Sequence, residues 1–215
     1  MAVQDKTMII DEGAQIHLSP RFTSAVEYAR AVHTEMRKGT DIPYMAHLLG
    51  VAALVMGEAG HAWCPVSEDM VIAALLHDAA EDHGGRATLK EIENKFGPEV
   101  SRMVEGLSDS LVENPDEKSS WDSRKTTYIQ NLRKEKADVW LISVADKLYN
   151  AKAVLDDYRG IGPMIWERFK RKRRDQLWYF DQLLQVYREL PEIRIVDEFA
   201  RVLAELRQIS AGEAH

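Results

Sequence analysis

Apolar residues recur three and four apart along almost the whole of this chain, and strand-like alternation of polar and apolar residues is weak everywhere. A chain with that period buries helix faces, so an all-α helical bundle with short loops is expected rather than an α/β fold. Ser19-Pro20 predicts an N-cap followed by proline at the first helical position, with Phe22, Val26, Ala29 and Val32 at helical spacing behind it. Pro43 opens a second run that carries His47, Leu48, Val51, Leu54 and Val55. Ser67 begins a third, with Glu68 and Asp69 in its first turn and Val71, Ile72, Leu75 and Leu76 behind them, and Gly84-Gly85 ends it. Thr88 with Glu91 reads as a capping box for a short helix ending near Gly97, and Pro98 starts another through Leu107. The polar stretch 108–120 reads as a surface loop, and further helices are expected over 121–135, 137–158, 164–190 and 192–210. This organisation implies a tail over 1–18, one domain over 19–190, and a C-terminal helix and tail over 191–215 packed on or extending that domain. The first dozen and last half-dozen residues are expected to be loose.

Composition narrows the classes of function. With 45% hydrophobic and 29% charged residues in 215, the chain can build a core without staples. Its longest apolar stretch, Leu48 to Met56, falls far short of the roughly 18 residues that a membrane span needs. Charge within MAVQDKTMIIDEG argues against a secretory signal, so a cytoplasmic location is expected. The single cysteine, Cys64, allows neither an internal disulfide nor a thiolate-rich zinc site, which leaves histidines and carboxylates for any metal. A net charge of −7, from 28 basic and 35 acidic residues, argues against long nucleic acid as the partner. It leaves room for one small polyanion met by a locally cationic pocket or by a divalent metal.

The strongest local signal is Leu75-Leu76-His77-Asp78-Ala79-Ala80-Glu81-Asp82, an apolar helix that ends in four ionisable groups. On a helix, His77 and Glu81 are four apart, as are Asp78 and Asp82, so two polar pairs stack along neighbouring rows. One row could bind a metal while the next handles water; a solvated last turn fits the same string. His47, on the apolar side of its helix, fits a satisfied core histidine as well as a ligand. Asp146 ends the apolar run Leu141-Ile142-Ser143-Val144-Ala145, an uncomfortable place for a plain surface carboxylate. Together His47, His77, Asp78 and Asp146 suit an octahedral Mn²⁺- or Fe²⁺-like ion with open water positions, and Zn²⁺ less naturally.

Several motifs in order resemble a known family. Arg37-Lys38-Gly39-Thr40 with Pro43-Tyr44-Met45-Ala46-His47, then Ala73-Ala74-Leu75-Leu76-His77-Asp78 with Glu81-Asp82, then Phe96-Gly97-Pro98-Glu99-Val100 and Val144-Ala145-Asp146-Lys147-Leu148-Tyr149-Asn150, are similar to HD-superfamily metal phosphohydrolases. Within that superfamily they resemble the hydrolase domain of RelA/SpoT-type enzymes and the stand-alone small alarmone hydrolases, over about residues 21–185. The resemblance implies an HD-domain helical bundle that removes the 3′-pyrophosphate from guanosine tetra- or pentaphosphate with Mn²⁺, giving GDP and pyrophosphate from the tetraphosphate. It places the ion on His47, His77, Asp78 and Asp146. It gives Glu81 and Asp82 the task of positioning or deprotonating water, unless both merely orient the ligand histidines.

The same resemblance assigns the nucleotide to Arg37, stacking on guanine, and Lys38, reaching nearby polar groups, where the residues alone read as a basic helix end. Asn150 matches a ribose or phosphate contact, and Tyr44 shapes the pocket. Arg124-Lys125 falls where related hydrolases hold cations near the pyrophosphate, with Lys125 the expected contact; a solvated face fits equally. Lys170-Arg171-Lys172-Arg173-Arg174 reads as an exposed helix face from which one cation, or Arg168, reaches substrate. Trp178-Tyr179-Phe180 reads as core packing. Lys147, where long relatives often carry arginine, favours the small class, and no alarmone synthesis is expected. An HD phosphohydrolase of another nucleotide or of a dinucleotide cofactor, and a nucleotide sensor without turnover, are the competing readings, and a homo-oligomer stays open. A bound divalent ion would raise the formal charge from −7 to −5.

Overall fold

The computed structural model describes residues 15–212. The expected loose residues 1–12 lie outside that range, as do 213–215; Ser210, within the expected C-terminal tail, is instead buried and held by Arg173 at 2.9 Å. The described residues are all-α, with an isolated bridge between Met36 and Pro43 as the sole β-type pairing among them. In chain order the helices are α1 (Pro20–Val32), α2 (Met45–Gly57), α3 (Glu68–Leu76), α4 (Ala79–Asp82), α5 (Gly85–Phe96), α6 (Pro98–Leu107), α7 (Trp121–Leu132), α8 (Ala137–Ile161), α9 (Arg173–Tyr187) and α10 (Arg194–Ile209). Among the described residues no helix is long and apolar enough to cross a membrane.

The starts follow the local chemistry. Ser19 caps α1 by accepting from the Arg21 N–H at 3.1 Å, and its own N–H donates to Glu68 at 2.6 Å, which ties the starts of α1 and α3 together. Ser67 caps α3 through the Met70 N–H at 3.3 Å. Met70 to Leu76 are all buried, because α3 is apolar on every side and is packed by α1, α2, α6 and α8. The longest helix, α8, buries Val139 to Asp146 and carries α10 on its outer side.

One close approach sets the site. A Cβ added at Gly50 of α2 would lie 2.0 Å from the Tyr149 ring of α8, so only glycine allows this helix separation. His47 precedes Gly50 by three residues and Asp146 precedes Tyr149 by three, so the same contact brings both side chains to one level.

The structure departs from the expected elements at four places. The third run is not continuous to Gly84: α3 stops at Leu76 and the chain re-enters helix at Ala79. There His77 Nδ1 engages the Ala74 carbonyl at 2.8 Å, the acceptor an unbroken helix would offer the Asp78 N–H. No capping box forms at Thr88, since α5 already begins at Gly85; Thr88 Oγ1 donates to the His83 carbonyl and Glu91 accepts from the Tyr28 hydroxyl at 2.9 Å. The stretch 164–190 is broken, running as a 3-10 turn over Gly162–Arg168 before α9, because Gly162 sits at φ +64° and Pro163 follows it.

The fourth departure is functional. Residues 108–120, expected as a surface loop, fold back over the end of α4. Gly85, at φ +56°, meets the Leu111 and Val112 backbone so closely that a Cβ would lie 2.5 Å from the Leu111 oxygen, and the Arg86 N–H donates to that oxygen at 3.2 Å. The loop is thereby pinned with Asp109 turned inward, its side chain 2% exposed.

Candidate active site

The side chains of His47 from α2, His77 and Asp78 from the break after α3, and Asp146 from α8 converge. His47 Nε2 and His77 Nε2 lie 3.3 Å apart. Asp78 Oδ2 is 3.0 Å from His77 Nε2 and 3.5 Å from His47 Nε2, and Asp146 Oδ1 is 3.6 and 3.3 Å from the same two atoms. Neighbouring ligands of a single ion stand at such spacings, so these four groups could hold one.

The donor set fits a divalent cation. A carbonyl oxygen only accepts, so the Ala74 bond places the proton of a neutral His77 on Nδ1 and turns the Nε2 lone pair toward two carboxylates. Electron-rich atoms facing one another in a buried site need a positive charge among them. Without an ion, a proton on His77 serves: burial alone would lower its pKa, but Asp78 and Asp146 hold it well above the imidazole range. Burial would raise both aspartates, yet His77 keeps Asp78, and Lys147 with the histidines keeps Asp146, well below the usual carboxylate range. Asp146 is further fixed by Lys147 and by Asn150 Nδ2, which donates at 2.6 Å. Tyr44 donates its hydroxyl to Asp78 at 2.6 Å, and burial together with Asp78 keeps that phenol protonated.

Beside this cluster stand two carboxyls with the opposite tendency. Burial first, then the charge of Asp109, pushes Glu81 up to about 7. Partial burial and the charge of Asp78 push Asp82 up to about 6. Glu81 accepts from the Asp109 N–H at 3.0 Å, whereas Asp82 opens to the cavity with Lys118 4.0 Å away. Asp109 itself is pulled down to about 2: burial opposes this, and Lys125 at 2.7 Å and Arg124 at 2.5 Å prevail. Glu81, Asp82, Asp109 and Lys125 line a cavity of about 170 Å³ whose wall includes Tyr128 and Tyr179.

The model of the HD domain family matches residues 25–161. The chain belongs to the HD-domain family. Among curated relatives, the guanosine-3′,5′-bis(diphosphate) 3′-pyrophosphohydrolase MESH1 of Drosophila melanogaster is 32% identical over 160 residues, 74% of this chain and 79% of that protein. Human MESH1 is 32% identical over 171 residues, 77% of this chain and 82% of its own length. The GTP pyrophosphokinase rsh of Brucella melitensis is 33% identical over 136 residues, which is 60% of this chain but 16% of that much longer protein. Among solved structures, a metazoan SpoT orthologue described as hydrolysing ppGpp superposes with a TM-score of 0.70 at 26% identity, covering 88% of this chain and 97% of that one.

A second cavity of the HD domain, about 280 Å³, shares Lys125, Lys147, Asn150 and Tyr179 with the first and adds Arg37, Trp121 and Phe169. Arg37 lies over the Tyr149 ring at 5.1 Å and donates to Asn150 Oδ1 at 3.4 Å. Arg37 and Lys38 are not a helix end, since α1 stops at Val32 and both sit in the loop that leads to α2. Lys38 is exposed and lines neither cavity.

The basic run after the 3-10 turn stays outside both cavities. Arg171 pairs with Asp122, Lys172 with Glu167 at 2.5 Å, and Arg174 with Asp175 at 3.4 Å, as an exposed face would. Arg168 pairs with Asp157 at 2.7 Å while its stem covers Gly39. Tyr179, read from sequence as core packing, is buried but also walls the site. Sequence reasoning missed Asp109 and Lys118. The signal for Asp109 was Leu111-Val112 inside an otherwise polar stretch, an apolar pair that needs something to pack on.

Proposed function

We propose that this HD domain hydrolyses guanosine 3′,5′-bis(diphosphate) at its 3′-pyrophosphate, giving GDP and pyrophosphate, with Mn²⁺ held by His47, His77, Asp78 and Asp146. The observation that carries the reading is the pair of contiguous cavities. One offers a metal-ligand cluster beside two proton-handling carboxyls; the other offers aromatic and guanidinium surfaces for a nucleoside. The names of the MESH1 relatives and of the solved SpoT orthologue support the same substrate.

Electrostatics supports a polyanion despite the acidic chain. Asp78, Asp82, Asp109 and Asp146 are balanced by Lys118, Arg124, Lys125 and Lys147, so with Glu81 protonated and the histidines uncharged the site is neutral. A divalent ion turns that balance positive. The chemistry such an ion supplies is acidified water near neutral pH and neutralised charge on a phosphoryl oxygen. Two nitrogen and two hard oxygen donors suit Mn²⁺ with water in its remaining positions.

Asp82, ionised above about pH 6 and free of a close donor, takes the proton of the attacking water. Glu81 keeps its proton up to about pH 7 and returns one to the leaving 3′-oxygen of the ribose. An incoming pyrophosphate competes with Asp109 for Arg124 and Lys125. Arg37, already over the Tyr149 ring, stacks on guanine, and Asn150 stands between base and metal cluster. On this reading residues 19–190 form the catalytic domain, and α10 packs on it against α8 and α9. The half-buried Cys64, its thiol pushed up by burial, suits a reducing cytoplasm.

Incubating the purified protein with the tetraphosphate and Mn²⁺ tests this. Pyrophosphate release that EDTA and Asp82→Ala both abolish is expected, and absence of turnover would overturn the reading.

A further inference from the structure

A second group of metal-ligating side chains lies outside the HD cluster. His33, which ends α1, is buried and places Nδ1 2.8 Å from Glu35 Oε1. His83, directly after α4, brings Nε2 to 3.5 Å from the same oxygen. The two imidazoles meet edge to face, 4.8 Å between centroids, and the ligand atoms of all three residues lie within 4.8 Å of one another. His83 Nε2 is buried and has no hydrogen-bond partner, although it faces Glu35.

A hydrogen bond from the His33 Nδ1–H to Glu35 accounts for one imidazole nitrogen. It leaves unexplained a second imidazole whose uncapped nitrogen turns to the same carboxylate oxygen. A tetrahedral ion with bonds of about 2.0–2.1 Å spaces its ligands about 3.3 Å apart, and the two observed separations fall on either side of that value.

We propose that His33 Nδ1, Glu35 and His83 Nε2 form a second cation site, for a Zn²⁺-class ion. Two imidazoles and one carboxylate are a three-ligand zinc set, whereas Mg²⁺ and Ca²⁺ favour oxygen alone. The Glu35 and His83 side chains are 40% and 38% exposed, so the fourth position opens to solvent and takes water or a small anion. His33 stacks on Tyr44 at 5.0 Å, and the Tyr44 hydroxyl holds Asp78, so one aromatic ring separates the second site from the first. Nothing in this site depends on the identity of the nucleotide.

Co²⁺ distinguishes the two centres, because a tetrahedral site with imidazole ligands absorbs visible light strongly and an octahedral one weakly. Metal-stripped full-length protein is titrated with Co²⁺ while absorption and bound metal per chain are followed. The wild type is expected to bind about two ions and to develop an intense band. His83→Ala and Glu35→Gln, both at partly exposed side chains and checked for a wild-type circular dichroism spectrum, bind about one ion and lose the band. His77→Ala keeps it. One ion per chain in the wild type, or an intense band surviving in either folded variant of the second site, would overturn the proposal.

Discussion

Replacing Glu81 by glutamine makes the metal-free protein more stable above neutral pH while removing activity. Glu81 titrates at about 7 in the folded chain against an ordinary value of 4.5, because burial and Asp109 disfavour its charge. The sign follows from which state binds the proton. Below 4.5 the carboxyl is protonated folded and unfolded, and it costs nothing. Between 4.5 and about 7 the unfolded chain ionises while the folded chain holds its proton, so stability falls as pH rises, and the loss levels off above about 7. A displacement of this size corresponds to on the order of 3 kcal/mol. Glutamine has no proton to lose and can still accept the Asp109 N–H through its carbonyl oxygen. Urea unfolding of wild type and Glu81→Gln in EDTA, at intervals from pH 5 to pH 8, measures the difference, and the titrations that do not interact with Glu81 cancel. The variant gains on the wild type across this range, by on the order of 3 kcal/mol in all. A gap that stays constant with pH, or that moves in the wild type's favour, would refute the assignment of Glu81 as a carboxyl held protonated.

Three further outcomes follow from the geometry. Gly50→Ala forces the Tyr149 ring away from α2; overpacking of about 1–3 kcal/mol is partly offset by about 1 kcal/mol of helix propensity, so the melting temperature moves little. Its Mn²⁺ affinity falls at least about tenfold as His47 and Asp146 separate, and an unchanged metal titration contradicts the role given to that contact. Asp109→Asn removes the repulsion on Glu81, so the high-pH limb of the kcat/KM profile moves to lower pH; a limb that stays in place assigns it to another group. Arg37→Ala raises KM for the nucleotide about tenfold with kcat largely kept, and Arg37→Lys does not restore it, because an ammonium cannot stack as the guanidinium does. Rescue by lysine would show that charge alone is used.

The fold class and the convergence of His47, His77, Asp78 and Asp146 were legible because their signals are local. Ser19-Pro20 and Ser67 start helices by their own side chains, and His77-Asp78 sits where an apolar helix meets four ionisable groups in a row. His47 and Asp146 could be paired with them because each stands on an apolar face with no reason to be polar. The helix break at His77 was not legible, since it arises from a ring nitrogen engaging the Ala74 carbonyl, a bond that composition does not announce. Asp109 was hidden for a different reason. Its inward turn depends on Gly85 accepting the Leu111–Val112 backbone from a distant stretch of chain, and a polar loop carries no mark of what it will lie against. Lys38 shows the converse, a residue singled out by its neighbours in sequence that the loop leaves in solvent.

In the proposed reaction water attacks the 3′-linked phosphorus at the His47, His77, Asp78 and Asp146 cluster. Turnover of guanosine 3′,5′-bis(diphosphate) with Mn²⁺ in ¹⁸O-enriched water, followed by mass spectrometry of both products, tests it most directly. Equal amounts of GDP and pyrophosphate are expected, with the label in pyrophosphate and none in GDP. Label in the nucleoside product, or release of orthophosphate in place of pyrophosphate, would contradict it.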